Sequence, residues 1–319
     1  MDTSLVDLSS LKFIDLWEEY DNYMKINLKA QSYRKEHSSY INHIVPYFKN
    51  YLVVDINQKV YMNWLNFVEQ QNYSYSFRKS LHGYMVSILN YAMKFYDLPK
   101  NVPSLVGGFK RSKEDVKRVD FWTIEEYKKF IACVNDDLDN LLFNTLYFTG
   151  MRIGECLALT WNDYCSGCLD INKTISKEKS KSGGYMINSP KTKSSYRRIS
   201  LDNDLKAKFD KMYKKKKKLK DFNNSWFIFG DTKPLSQTSL TRRKDKYCKL
   251  CDVKKIRLHD FRHSHATLLI SLNVPITTIS KRLGHSDIAQ TLNTYSHFTI
   301  QDEQKAIDSI NNLKIINSL

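Results

Sequence analysis

Residues of the second half of the chain, Arg152, a lysine of the 189–199 stretch, His259, Arg262, His285 and Tyr295, have the types that phosphodiester chemistry uses. Two arginines can neutralise the two non-bridging oxygens of a phosphodiester. Histidines can donate further hydrogen bonds and shuttle a proton. A lysine can protonate a departing 5′ oxygen, and a tyrosine hydroxyl can attack phosphorus to form a covalent 3′-phosphotyrosine. Such a site needs no metal and no nucleotide cofactor, and neither an acidic metal cluster nor a phosphate loop is visible in the sequence.

Taken singly, each signal is modest. Arg152 lies in TGMRIGECLALTW, 149–161, a mostly apolar stretch in which Glu155 follows three residues on. Burying a charge is costly unless it is paired. After Gly150, Arg152 starts a new helix, where its guanidinium fork and the free N–H groups can meet a phosphate. The Arg152–Glu155 pair reads equally well as a buried structural ion pair. In LHDFRHSHATLL, 258–269, His259 and Arg262 share a helix face. His259 and His263, four apart, could also suit a metal, but the glutamate of an HExxH motif is missing. His285 follows a helix-ending glycine, and Tyr295 lies in a polar segment; either alone reads as a structural or surface residue. SPKTKSSYRRI, 189–199, reads as a lysine-rich hairpin tip, able to enter a DNA groove or merely to be solvated.

The elements that must hold these residues fall into two groups. A length of 319 residues suits about two domains. The excess of 50 Lys+Arg over 34 Asp+Glu, a formal +16, attracts polyanions, nucleic acid first and an anionic membrane surface second. No apolar run approaches the ~20 residues of a spanning helix. The start, MDTSLVDLSS, lacks the pattern of a secretory signal. Six cysteines in such a chain suggest free thiols in a reducing cytoplasm. Cys165/Cys168 and Cys248/Cys251 are CxxC pairs, but too far apart for an ordinary zinc ribbon.

Residues 11–98 read as helices, in a first domain spanning 1–98. Leu11, Ile14, Trp17, Tyr20 and Met24 recur on one face, and a second helix is limited by Pro46. The polar faces carry Lys29, Arg34, Lys35, Arg78 and Lys79, which could meet phosphates. Residues 99–120, with two prolines, Gly107–Gly108 and charges including Arg111, have linker composition. Thr123 and Glu126 form a capping box that opens the second domain, 121–319. A helix at about 139–148 and a small antiparallel sheet at 169–201 are expected next. Helices follow at about 203–219, 236–250 and 259–272, then ITTISKRL, and a last helix at about 300–312. The Lys214–Lys218 run reads as a solvated helix face.

The order R…K…HxxR…H…Y, carried by TGMRIGE, PKTKS, LHDFRHSHAT and LGHS…TLNTYSH, closely resembles the tyrosine recombinases, the phage-type integrases. The wording is most similar to integrases of Gram-positive phages and integrative conjugative elements. HIVPYFKNYLVVDI and ILNYAMKFYDLPKNVPS resemble the family's helical core-binding domain. The resemblance implies an all-α, SAM-like core-binding domain and a mixed α+β catalytic domain of the DNA breaking–rejoining fold. It implies that Arg152 and Arg262 clamp the scissile phosphate, with Glu155 supporting Arg152. Lys191 is the implied general acid, with Lys193 the alternative on the same tip, near the Ser194–Ser195 pair. His259 assists proton transfer, His285 hydrogen-bonds the phosphate, and Tyr295 is the nucleophile.

The implied partners are double-stranded DNA attachment sites and further copies of the chain, four in the synapse. A host bending protein or excision factor is a further implied partner; a membrane and a cofactor are not. The implied setting is the bacterial cytoplasm, at the nucleoid. Many such integrases begin with a small arm-type DNA-binding domain, whereas this chain starts almost directly at the core-binding helices: either the protein lacks that domain or it has been trimmed away, and regulation by arm sites is left open. Two other readings compete. A type IB topoisomerase uses similar arginines and a tyrosine. A non-catalytic DNA-binding regulator would read SLNVPITTISKRLGHS as a helix-turn-helix, which leaves the catalytic residue types unexplained.

Overall fold

The computed structural model describes residues 7–112, 120–179, 185–190, 192–285 and 287–295; a few side chains within these spans, including those of Lys193 and Tyr295, are not described. The chain divides into two compact units, Met1–Arg118 and Val119–Leu319.

The first unit is helical: α1 (Phe13–Asn27), α2 (Ala30–Ser39), α3 (Val45–Phe48), α4 (Gln58–Glu69), α5 (Tyr75–Phe95) and α6 (Val102–Val106). In α1, Phe13, Leu16, Trp17, Tyr20 and Met24 are buried at helical spacing, with Ile14 only packed at the edge. Asn57 and Ser74 cap α4 and α5 by accepting from the backbone N–H three residues on. Pro46 does not end the second helical stretch. A π-turn, Tyr40–Ile44, widens the helix, and Pro46 falls in the first turn of α3, where a missing N–H is tolerated.

The expected linker, 99–120, begins later than composition suggested. Asn101 caps α6 and also donates to the Val86 carbonyl and Asn90 Oδ1, while Val102 joins the core. Pro103, in the first turn of α6, marks a helix start rather than a flexible tether. Of the expected phosphate contacts, Lys29, Arg34, Lys35, Lys79 and Arg111 are exposed. Arg78 is not, with a side chain only 11% accessible. It donates to Glu69 at 2.9 Å and lies over the Phe109 ring, so its charge is already used.

The second unit mixes helices with two small antiparallel sheets. Helices α7 (Ile124–Ala132), α8 (Asp137–Thr149) and α9 (Ile153–Ala158) come first. The Thr123–Glu126 capping box forms with both its hydrogen bonds. Among the described residues five strands follow: β1 (Tyr164–Cys165), β2 (Cys168–Ile171), β3 (Thr174–Lys179), β4 (Tyr185–Asn188) and β5 (Arg197–Ser200). They make one sheet of order β1-β2-β5 and a separate pair β3-β4, not one sheet. Among the described residues β4 and β5 belong to different sheets and do not pair, so the expected hairpin between them does not form.

Helices α10 (Asn203–Lys216), α11 (Gln237–Leu250), α12 (Asp260–Ser271), α13 (Ile276–Leu283) and α14 (Ile288–Tyr295) complete the unit. The expected polar segment before Tyr295 is thus helical, and the helix expected at 300–312 lies outside the described residues. The core packs Trp122, Phe130, Phe143, Leu146 and Phe261 around α8 and α12. Cys165 and Cys168 oppose each other across a two-residue turn between β1 and β2. Cys133 and Cys251, 118 positions apart in sequence, lie side by side with their Cα atoms 6.2 Å apart.

Candidate active site

The site grows from the α8–α9 turn. Gly150 ends α8 with a left-handed backbone, φ +64°, and a Cβ there would lie 2.5 Å from the His265 ring and 2.8 Å from Leu283. Only glycine combines that φ with that approach. The released chain lets Arg152 cap α9 in extended conformation. Its backbone N–H and its Nη1 both donate to Glu155, each at 2.9 Å. The Arg152 side chain keeps 37% of its surface exposed, whereas Glu155 is buried. The guanidinium is thus held by its stem and open on its other edge.

Arg262 comes to the same turn from α12. It is buried, and its Nη1 donates to the Gly150 carbonyl at 3.0 Å. His259 precedes the first turn of α12, and its ring meets that of His263 edge-on, with centroids 5.4 Å apart. His285 follows Gly284, the left-handed end of α13, and its Nδ1 lies 2.7 Å from Thr291 Oγ1.

A third arginine, absent from the sequence reading, locks the arrangement. Arg197, in β5, donates Nη2 to Glu155 Oε2 at 2.9 Å, Nε to the Arg282 carbonyl at 2.8 Å and Nη1 to the Ser195 carbonyl at 3.1 Å. A Cβ on Gly284 would sit 3.1 Å from both Arg197 Nη1 and the Ser194 carbonyl, so β5 and the α13 terminus meet closely. Arg282 in turn donates Nε to His265 Nε2 at 3.2 Å. His265 therefore carries its proton on Nδ1, which donates to the Tyr147 carbonyl at 2.8 Å.

The electrostatics are those of an anion site. Burial, then the charges of Arg262, Arg152 and Arg197, push His285 down to about 4. His263 is lowered to about 4 by burial and His259, and His259 is lowered by burial and Arg262. Burial alone would raise Glu155, but the Arg197 bond and charge, followed by Arg152, hold it below the ordinary carboxylate range. The histidines here are held neutral by burial and by the positive charge around them, a setting that favours an anion such as phosphate.

The structure thus brings Arg152, Glu155, His259, Arg262 and His285 around one turn. Tyr295 is the last residue of α14, one turn after Thr291, and its side chain is outside the described residues. Lys191 is outside them as well. The segment after it is anchored: Thr192 Oγ1 lies 2.9 Å from Ser195 Oγ, and Ser195, buried, holds Arg197 through its carbonyl. The Ser194–Ser195 pair is a bonded 3₁₀ turn. Arg197 and Thr291 were missed because their partners are set by tertiary packing; the one local hint was an arginine in a strand next to the lysine motif.

Residues 121–302 match the Phage integrase family, and residues 12–68 match the Phage integrase, N-terminal SAM-like domain. A curated relative, the ICEBs1 integrase of Bacillus subtilis (strain 168), is 31% identical over 95% of this chain and 84% of its own length. The integrase of the Tn1549 transposon, solved in complex with transposon right end DNA, superposes with a TM-score of 0.76 at 19% identity, covering 93% of this chain and 99% of that one. A lambda integrase tetramer bound to a Holliday junction gives a TM-score of 0.62 at 18% identity, covering 88% of this chain and 79% of that one.

Proposed function

The chain belongs to the phage integrase family, and from that premise we infer that it is a tyrosine site-specific recombinase that integrates or excises a mobile element. It cuts and rejoins double-stranded DNA through a covalent 3′-phosphotyrosine intermediate. The observation that carries this reading is the joining of Arg152 and Arg262 at the α8–α9 turn, with Arg262 on the Gly150 carbonyl and Arg152 on buried Glu155.

In this reading Arg152 and Arg262 take the non-bridging oxygens of the scissile phosphate, and preorganised positive charge stabilises the pentavalent transition state. His285 donates a hydrogen bond to the phosphate, and His259 assists proton transfer. Tyr295 attacks phosphorus. Lys191, six residues before Arg197 in sequence, protonates the 5′ oxygen, and Lys193 is the alternative donor. Lys29, Arg34, Lys35, Lys79 and Arg111 contact backbone phosphates in the first unit. Four copies assemble on paired attachment sites, a number supported by the lambda integrase tetramer bound to a Holliday junction, with a host bending protein or excision factor as a further partner. Among the described residues no helix is long and apolar enough to cross a membrane.

The test is covalent trapping. On a nicked suicide substrate the wild type leaves a denaturation-resistant protein–DNA adduct, and Tyr295→Phe binds the same DNA without forming one. An adduct formed by Tyr295→Phe removes Tyr295 from the mechanism, and its absence in both proteins removes the enzyme reading. Relaxation of supercoiled DNA of any sequence by a monomer would favour a topoisomerase instead.

A further inference from the structure

We propose that Thr291 is a positioning residue for His285: its hydroxyl holds the imidazole at Nδ1 and leaves Nε2–H as the donor to the scissile phosphate. The proposal rests on the reading of His285 as a phosphate ligand.

Three observations carry it. The Thr291 hydroxyl lies 2.7 Å from His285 Nδ1, and Thr291 is completely buried. A buried hydroxyl placed against a ring nitrogen is an orienting contact rather than a chance surface one. The backbone of His285 is already fixed, because its N–H donates to the Ser280 carbonyl at 3.1 Å, directly after the left-handed Gly284. What remains free is the ring, and Thr291 decides its rotation. Finally, Thr291 sits in α14, one turn before Tyr295, so the helix that carries the nucleophile also carries the anchor of the histidine.

The tautomer follows from donor counting. Burial and the surrounding arginines keep His285 neutral at neutral pH, and a neutral imidazole has one N–H. Phosphate oxygens only accept. The productive ring therefore has its proton on Nε2, and its Nδ1 must accept, which requires the Thr291 hydroxyl to donate. The opposite tautomer would direct a lone pair at the phosphate. Because the anchor is on α14, withdrawing that helix would also release His285, so nucleophile placement and phosphate recognition are coupled through one hydroxyl.

Single-turnover cleavage of a suicide substrate tests this with Thr291→Val, Thr291→Ser and His285→Ala. Valine keeps the shape and removes the hydroxyl. Thr291→Val should slow cleavage about tenfold, the worth of one buried hydrogen bond, with DNA affinity unchanged, and Thr291→Ser should recover most of the rate. In a His285→Ala background Thr291→Val should cost nothing more, because the group it positions is gone. An undiminished rate for Thr291→Val, or the same loss with and without His285, overturns the proposal. If His285→Ala itself cleaves at the wild-type rate, the reading of His285 fails, and the proposal with it. Nitrogen-15 spectra of the unaltered protein give a readout independent of folding variants: Nε2–H on His285 is expected, and Nδ1–H would refute the assignment.

Discussion

Glu155 serves two arginines at once, Oε1 accepting from Arg152 and Oε2 from Arg197, each at 2.9 Å. The two are 45 positions apart in sequence, at opposite ends of the strand region, yet share one buried carboxylate. Arg197 has three carbonyl or carboxylate partners and little exposure, so it acts as the permanent counter-ion. Arg152 keeps an exposed edge, and its charge is left for a ligand.

Arg197→Gln should therefore damage both stability and cleavage. Breaking a buried pair leaves an under-compensated carboxylate, worth about 3 kcal/mol. Urea unfolding of wild type and variant measures the first effect, and suicide-substrate cleavage the second. A midpoint and rate equal to wild type would show that Glu155 needs only Arg152.

Lys191→Ala should slow cleavage of ordinary DNA severely, and a substrate with sulfur in place of the bridging 5′ oxygen should restore the rate, since a thiolate leaves without a proton. Lys193→Ala should lose less, and by the same factor on both substrates. Sulfur rescue of Lys193→Ala alone would exchange the two roles. The ground for Lys191 is position: it directly precedes the anchored Thr192–Arg197 run.

DNA affinity should fall steeply between about 50 and 200 mM salt, because phosphate contacts release counterions. Titrations at several salt concentrations give the slope, and a flat profile would contradict binding by a chain of formal charge +16.

Stability should fall on mild acidification. Burial and Arg282 lower His265 to about 3, below its unfolded value of about 6.5, so the unfolded chain binds more protons between those values. That contribution is complete above pH ~6.5 and is lost as pH falls toward about 3; His265 alone accounts for roughly 2 kcal/mol by pH 5. Glu155, lowered in the fold, acts in the same direction at lower pH. Unfolding at pH 7 and pH 5 checks this, and a midpoint higher at pH 5 would contradict the sign.

Local signals were legible and nonlocal ones were not. The Thr123–Glu126 box, the stop at Gly284 and the period of α1 appear where sequence puts them, because caps and periodicity depend on residues a few positions apart. The sequence names Arg152, His259, Arg262 and His285 by type and order, and the structure gathers them near the Gly150 turn. Arg197 was not, since its partners lie 42 and 85 positions away. Strand pairing failed for the same reason: β5 chooses β2 over its sequence neighbour β4. Helix α6 was hidden by prolines that composition assigns to a linker. The helix leading to Tyr295 was hidden by its polar residues.

Arg282 has one more consequence, for the order in which the molecule is made. Its side chain reaches the Phe148 carbonyl, 134 positions earlier, and the Ser200 carbonyl, 82 earlier, and its own carbonyl receives Arg197. Contacts of such long loop closure form late. A chain still emerging from the ribosome presents Arg152 and Glu155 long before α13 has been synthesised, but without the residue that ties β5 to α8. The proposed phosphate site therefore cannot close until α13 has been synthesised, although the helices of the first unit are by then already made.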